Sequence, residues 1–282
     1  MFSSSLAQRA LTLLVLGPFA LLIMYLGGWF YAIPVSIFLL LATTEYAIMV
    51  EAMGYRSPRW VLTGMVGVLL LVAQLFGRTS FAFGLAFFVC LLVGFVTALS
   101  RYERSRPRVS ADLFAFVTGF ILLGYLGSHI ILLRNLDPAV GSEFWEWSVV
   151  TIVATWAADT FAYLVGSYIA GSGKIKRHAL TPRLSPKKSV EGYVGGIVLG
   201  TAMASAVGIF LFGLPPMVVV ILALLCTAGG TLGDLVISLL KRESGIKDSG
   251  NLFPGHGGAL DRADSIIWTV AFAYYFLSLV IL

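Results

Sequence analysis

Residues 59–100 read RWVLTGMVGVLLLVAQLFGRTSFAFGLAFFVCLLVGFVTALS, two apolar runs (59–76 and 80–100) parted only by Gly77-Arg78-Thr79. A bilayer core takes roughly 20 apolar residues per helix, so this stretch predicts two membrane spans joined by a short turn. Working outward, runs of the same kind occupy 10–26, 29–52, 111–133, 147–170, 191–213, 215–240 and 264–282. The expected fold is all-α, a polytopic helical membrane protein with about nine transmembrane helices. Gly27-Gly28 and Gly213-Leu214-Pro215-Pro216 are the tight turns this division needs. The composition agrees: 59% of the 282 residues are hydrophobic and 12% charged, against about 25% charged in soluble domains. So few polar residues cannot cover a globule in water. The first run follows Arg9, lacks an A-x-A site and leads at once into a second run, so it reads as a span rather than a removed leader. Cys90 and Cys226 lie inside apolar runs and read as small buried hydrophobes.

The net charge of +5 would suggest nucleic acid in a soluble protein. Here it follows the positive-inside rule, and no nucleic-acid partner is expected. With nine spans, 17 of the 19 basic residues fall on the side of the N-terminus and the loops near 54–58, 101–110, 171–190 and 241–263. Only Arg78 and Arg134 fall on the other. The expectation is a multi-pass protein of a bacterial-type inner membrane, with its N-terminus and basic loops in the cytoplasm.

A carboxylate within a span costs about 2.5–3.5 kcal/mol on insertion scales and asks for a partner or a task. Glu45, Asp159 and Asp234 are in this position. For Glu45 a structural and a functional reading stand equally open. Asp159 and Asp234 fall roughly 16 and 9 Å from the cytoplasmic ends of their spans at 1.5 Å per residue, depths compatible with one polar pocket. Asp234 follows Ala228-Gly229-Gly230-Thr231-Leu232-Gly233, small residues that let another backbone approach.

Two basic loops carry the rest. In 241–264, Lys241, Arg242 and Lys247 are cations suited to polyphosphate. Pro254-Gly255-His256-Gly257-Gly258 is a turn with bare backbone amides. Asp261 and Asp264 share a helix face at i, i+3. Carboxylates beside phosphate-binding cations suit Mg²⁺, which takes one or two carboxylates plus phosphate oxygens and water; helix capping is the plainer reading of the two aspartates. In 171–190, Ser185-Pro186-Lys187-Lys188-Ser189 and Glu191-Gly192 suit anionic lipid headgroups or a bound phosphate.

These residues resemble the phosphatidate cytidylyltransferases, or CDP-diacylglycerol synthases. That family's C-terminal pattern appears without a gap as Ser238, Lys241, Arg242, Lys247, Asp248, Pro254, Gly255, His256, Gly257, Gly258, Asp261, Arg262 and Asp264. Gly233-Asp234-Leu235, the Ser185–Gly192 motif and Asp159-Thr160 are similar to it too. Phe161, Ser167 and the stretch 170–179 depart from the pattern. The resemblance is good over about 145–270. It implies N-terminal helices over 1–110, a connecting helix and loop over 111–145, and a catalytic membrane region over 146–282.

The implied reaction joins CTP and phosphatidic acid to give CDP-diacylglycerol and pyrophosphate, with Mg²⁺ and a second metal such as K⁺, on a membrane-lipid substrate and in a homodimer. The implied catalytic residues are Asp234, Asp261, Asp264, Lys241 and Arg242, with Asp234, Asp261 and Asp159 on the metal. Ser185, Lys187, Lys188, Ser189, Lys247, Asp248, Gly255, His256, Gly257, Gly258 and Arg262 would bind substrate. The alternatives are a CTP-dependent transferase acting on another lipid phosphate or a polyprenol, and a cation-coupled transporter. Transport needs charge near midplane with access from both sides, whereas here the polar residues gather on one face. A CDP-alcohol phosphotransferase would need an Asp-Gly-x2-Ala-Arg motif, which is absent.

Overall fold

The computed structural model describes residues 17–77, 80–104, 108–136, 144–172, 177–252 and 257–280. They are helical apart from one short hairpin. A ten-residue apolar helix α1 (Gly17–Leu26) is followed by α2 (Gly28–Ala52), α3 (Arg59–Phe76), α4 (Ser80–Glu103), α5 (Val109–Arg134) and α6 (Trp145–Ser172). Strands β1 (Ala179–Thr181) and β2 (Ser185–Ser189) pair antiparallel. Then come α7 (Val190–Leu211), α8 (Pro216–Glu243), the single turn α9 (Leu260–Ala263) and α10 (Ile266–Val280). Eight helices are long and apolar enough to cross a membrane, α9 and α10 counting together as Leu260–Val280. The chain is therefore a multi-pass helical membrane protein. The expected first span, 10–26, is described only from Gly17 onward.

Two differences from the sequence reading concern the basic loops. Helix α8 runs on to Glu243, so Lys241 and Arg242 end a helix, where cations face the negative pole of the backbone dipole. The loop near 171–190 contains the β1–β2 hairpin, with a register irregularity between Ala179 and Thr181. Its strand residues Pro186, Lys187 and Lys188 carry no strand signal.

The chain forms two compact units, Met1–Leu136 with Leu240–Ala263, and Asp137–Leu239 with Asp264–Leu282. In the first, α2, α3 and α5 bury Leu39, Tyr46, Leu62, Leu69 and Leu123. The Tyr46 hydroxyl donates to Ala115 O (2.7 Å), and its ring lies where a side chain at Gly119 would be, so α5 approaches α2 closely. Gly27 makes the turn between α1 and α2 at φ +63°. Arg134 reaches back there and donates to Met24 O (2.6 Å) and Tyr25 O (3.3 Å), satisfying carbonyls at the end of α1.

In the second unit α6 and α7 meet backbone to backbone. Gly192, Gly196 and Gly200 recur every four residues on α7. A Cβ at Gly192 would stand 2.6 Å from Ala162 O, at Gly196 2.6 Å from Ala158 O, and at Gly200 2.9 Å from Ala158 N. Small residues at this spacing allow the close van der Waals packing that drives helix association in lipid. The glycines before Asp234 do the same for α8 and α10: a Cβ at Gly230 would lie 3.0 Å from Thr269 Cγ2, and Gly229 and Gly233 face the rings of Phe272 and Trp268.

Gly196→Ala is therefore expected to lower the unfolding temperature in detergent, with a penalty of about 1–3 kcal/mol from overpacking. Gly64→Ala on α3, where a Cβ meets nothing within 4 Å, should leave it unchanged or raised. Equal behaviour of the two would show that the α6–α7 contact does not limit stability.

Candidate active site

A carboxylate in a helical membrane protein must find donors within the chain, and each unit solves this with a lysine. In the second unit, Asp234 sits on α8 just past the glycine run that admits α10. Lys188, on β2, donates to Asp234 Oδ2, and Ser238, one helical turn on, donates to Oδ1 at 3.1 Å. The two charged side chains keep 27% and 24% of their exposure, so this pair is partly open to a ligand. The hairpin that presents Lys188 is anchored at its base. Ser189 caps α7, accepting from Gly192 N at 3.1 Å. Glu191 accepts from His178 N at 3.1 Å and lies 2.6 Å from His178 Nδ1. The Arg177 guanidinium donates to Lys187 O and Pro186 O.

In the first unit, Lys241 Nζ lies 2.7 Å from Asp261 Oδ1, with side chains 12% and 5% exposed. Asp261 Oδ2 accepts from Ser249 N (2.8 Å) and Gly258 N (3.0 Å). Gly257, at φ +82°, must lack a side chain because a Cβ there would fall 2.6 Å from that same oxygen. Of the Gly-rich turn, then, the amide of Gly258 serves Asp261. Gly255 and His256 lie outside the described residues.

Glu45 completes this cluster, and here the structural reading left open by the sequence is realised. It comes from the C-terminal half of α2, far away in sequence. Its carboxylate accepts from Ser249 Oγ (2.8 Å), Ala259 N (3.0 Å) and Leu260 N (2.9 Å). It therefore caps the turn α9 from outside and pins the segment 249–260 at both ends. Ser249 is shared, its amide on Asp261 and its hydroxyl on Glu45. Gly250 and Gly258 flank this carboxylate so tightly that a Cβ would come within 2.8 and 2.6 Å of Glu45 Cδ. Part of the glycine pattern in this loop is thus space for a carboxylate.

The remaining residues singled out by sequence are distributed as follows. Lys187, Arg242, Lys247, Asp248 and Arg262 are exposed and Ser185 is half-buried. Asp159 is on the exposed side of α6. Asp264 is half-buried, its Oδ1 accepting from the amide of the next residue, Ser265 N, at 2.6 Å. Among the described residues no three His, Cys, Asp or Glu side chains gather closely enough to hold a metal by themselves. Sequence reasoning missed Ser249 and the link from Glu45. The only sign of either was a carboxylate inside an apolar run.

Replacing Glu45 by Gln puts an amide NH₂ against backbone donors and removes charge-assisted hydrogen bonds worth about 1.5–3 kcal/mol. In Glu45→Gln the amides of Ala259 and Leu260 should exchange hydrogen at least about tenfold faster, while those of α6 and α7 are unchanged. Unaltered exchange at 259 and 260 would show that Glu45 does not hold the loop.

With this geometry in place, comparison with known proteins is informative. The model of the cytidylyltransferase family matches residues 7–280. The chain is 31% identical to a phosphatidate cytidylyltransferase of Synechocystis over 298 aligned residues, covering 97% of each chain. It is 35% identical to the Bacillus subtilis phosphatidate cytidylyltransferase over 77% of this chain and 79% of that one. It is 30% identical to the chloroplastic phosphatidate cytidylyltransferase 5 of Arabidopsis thaliana over 90% of this chain and 67% of that one. The match spans almost the whole chain, and the chain belongs to the cytidylyltransferase family.

Proposed function

We propose that this protein is a phosphatidate cytidylyltransferase, forming CDP-diacylglycerol and pyrophosphate from CTP and phosphatidic acid at the cytoplasmic face of a bacterial-type inner membrane. The observation that carries this reading is the pair of Lys–Asp contacts, Lys188 with Asp234 and Lys241 with Asp261, in a multi-pass chain of this family. An oxygen of the lipid phosphate forms the new bond to the α-phosphorus of CTP. The bond from that phosphorus to the bridging β-oxygen breaks, and pyrophosphate departs with the electron pair. The attacking phosphate is already anionic near neutral pH, so no strong base is required. What the protein supplies is charge neutralisation and alignment. In this reading Lys188 and Lys241, each held by a carboxylate in its own unit, serve as donors to phosphate oxygens, and exposed Lys187, Arg242 and Lys247 add positive charge.

The donor chemistry fits Mg²⁺, which favours one or two carboxylates completed by phosphate oxygens and water. Asp234 fits best, since one oxygen accepts a single hydroxyl and the other faces only Lys188 among the contacts that hold it. Asp261 Oδ1 would fit once Lys241 turns to a phosphate, while Oδ2 stays with its two amides. When bound, the metal supplies further neutralisation of polyphosphate charge.

Purified protein given CTP, phosphatidic acid and Mg²⁺ should form CDP-diacylglycerol, and Asp234→Asn and Asp261→Asn should each lose about 10²–10³-fold in rate while remaining folded. Product formation that survives in both variants would retain the reaction and remove these aspartates from it. The absence of product from folded wild type would point to another lipid phosphate. For the orientation, Cys90 and Cys226 are buried, so Lys187→Cys offers one reactive thiol. It should react with an impermeant maleimide in inside-out vesicles and stay protected in right-side-out cells; the reverse pattern would invert the topology.

A further inference from the structure

The basic residues at the ends of α2, α3 and α4 have no part in the transfer chemistry, yet the first unit arranges three of them around a cleft. Arg56, Ser57, Arg59, Trp60 and Arg101, with Glu51, line a cavity of about 530 Å³, within the range of about 300–1,000 Å³ typical of small-ligand sites. Glu51 ends α2, Arg59 and Trp60 begin α3, and Arg101 lies in the last turn of α4. The cleft therefore opens where three spans end, at the level of lipid headgroups.

Several groups in it are prepared for an anion. Helix α3 has Pro58 before it, no side-chain cap and no acidic residue in its first turn. The first of its amides with a backbone partner are those of Val61 and Leu62, both on Pro58 O. The Arg59 and Trp60 amides are the orphan donors of a helix N-terminus, where the backbone dipole favours negative charge. Beside them Ser57 is 4% exposed, lines the cleft, and its hydroxyl has no hydrogen-bond partner among the described residues. A buried hydroxyl without a partner is costly and asks for a ligand or water. The Arg56 guanidinium is exposed and in no ion pair among the described residues; its backbone amide is fixed on Asp112 Oδ1 at 2.8 Å. Arg59 is held by Glu51, and Arg101 lies 3.5 Å from Asp112. Both guanidiniums are thus steadied by a carboxylate at the edge of the cleft. Trp60 is 88% exposed, as aromatic side chains are where they meet the membrane interface.

We propose that this cleft binds the phosphate of an anionic phospholipid, with Arg56, the Ser57 hydroxyl and the start of α3 as donors and Trp60 lying among the neighbouring lipids. A phosphate carried by a soluble molecule shares the same chemistry. The lipid is favoured because the cleft sits at span ends and Trp60 would otherwise lie bare in water.

The test uses full-length protein in phosphatidylcholine nanodiscs doped with phosphatidylglycerol, an anionic lipid outside the proposed reaction. Bound lipid is counted by native mass spectrometry after partial delipidation. Wild type should retain phosphatidylglycerol in preference to phosphatidylcholine. Arg56→Gln and Ser57→Ala should each weaken that retention, the former by about tenfold, while Arg56→Lys keeps most of it. Arg183→Gln, an exposed cation in the hairpin turn, should have no effect. Equal retention in wild type and Arg56→Gln would overturn the proposal, as would an equal loss in Arg183→Gln, which would mean general charge attraction. Displacement of the lipid by millimolar inorganic pyrophosphate would also overturn it, assigning the cleft to a soluble phosphate.

Discussion

The feature on which the first unit's polar region depends is a carboxylate that cannot leave. Glu45 lies within a 25-residue apolar helix, about two turns from its C-terminal end, where an uncompensated charge is expensive. The chain answers with three donors from one distant segment, Ser249, Ala259 and Leu260. Gly250 and Gly258, beside those donors, must come close to Glu45 and have no room for a side chain, and the turn α9 that follows delivers Asp261 to Lys241 and to the amides of Ser249 and Gly258. Two carboxylates thereby hold one loop through separate donors, Glu45 through Ser249 Oγ, Ala259 N and Leu260 N and Asp261 through Lys241, Ser249 N and Gly258 N.

The two Lys–Asp contacts differ in how firmly they are held. Asp261 accepts from three donors and is 5% exposed; Asp234 accepts from two and is 24% exposed. Removing one partner from a buried pair commonly costs about 3–5 kcal/mol, since it strands the other charge. That cost bears chiefly on Lys241–Asp261, whereas the screened Lys188–Asp234 pair can open at less expense. Of the two, Lys188–Asp234 is the pair that an arriving anion would open more readily.

Much of the fold was legible because lipid imposes a coarse rule: runs of apolar residues near 20 long become helices, and Gly27 and Gly213 turn the chain where the runs divide, both at positive φ. The C-terminal loop was legible as a pattern of charged residues and glycines. What each does was less so. Gly257 and Gly258 read as bare amides for an anion, but their described neighbours are the carboxylates of Asp261 and Glu45. Ser189 read as a substrate ligand and is the cap of α7. The stripe Gly192–Gly196–Gly200 drew no notice, since spacing by four in an apolar run shows a partner only when the partner helix is known. Glu45 illustrates the same limit, because its donors lie about 200 residues away and include two backbone amides that no side-chain pattern encodes.

The arginines raise a point about reading charge in membrane proteins. Positive residues at cytoplasmic span ends are expected for insertion alone, so the sequence offers no reason to single out Arg56, Arg59 and Arg101. Insertion, however, asks only that the charge be near the interface. It does not require Glu51 and Asp112 to hold two guanidiniums in place, a buried Ser57 hydroxyl without a partner among the described residues, or a helix start without a side-chain cap between them. Each of these carries a cost that topology does not explain, and the costs coincide in one cleft. Where unsatisfied donors and steadied cations meet at the depth of the headgroups, a phosphate bound to lipid is the simplest partner that satisfies them together.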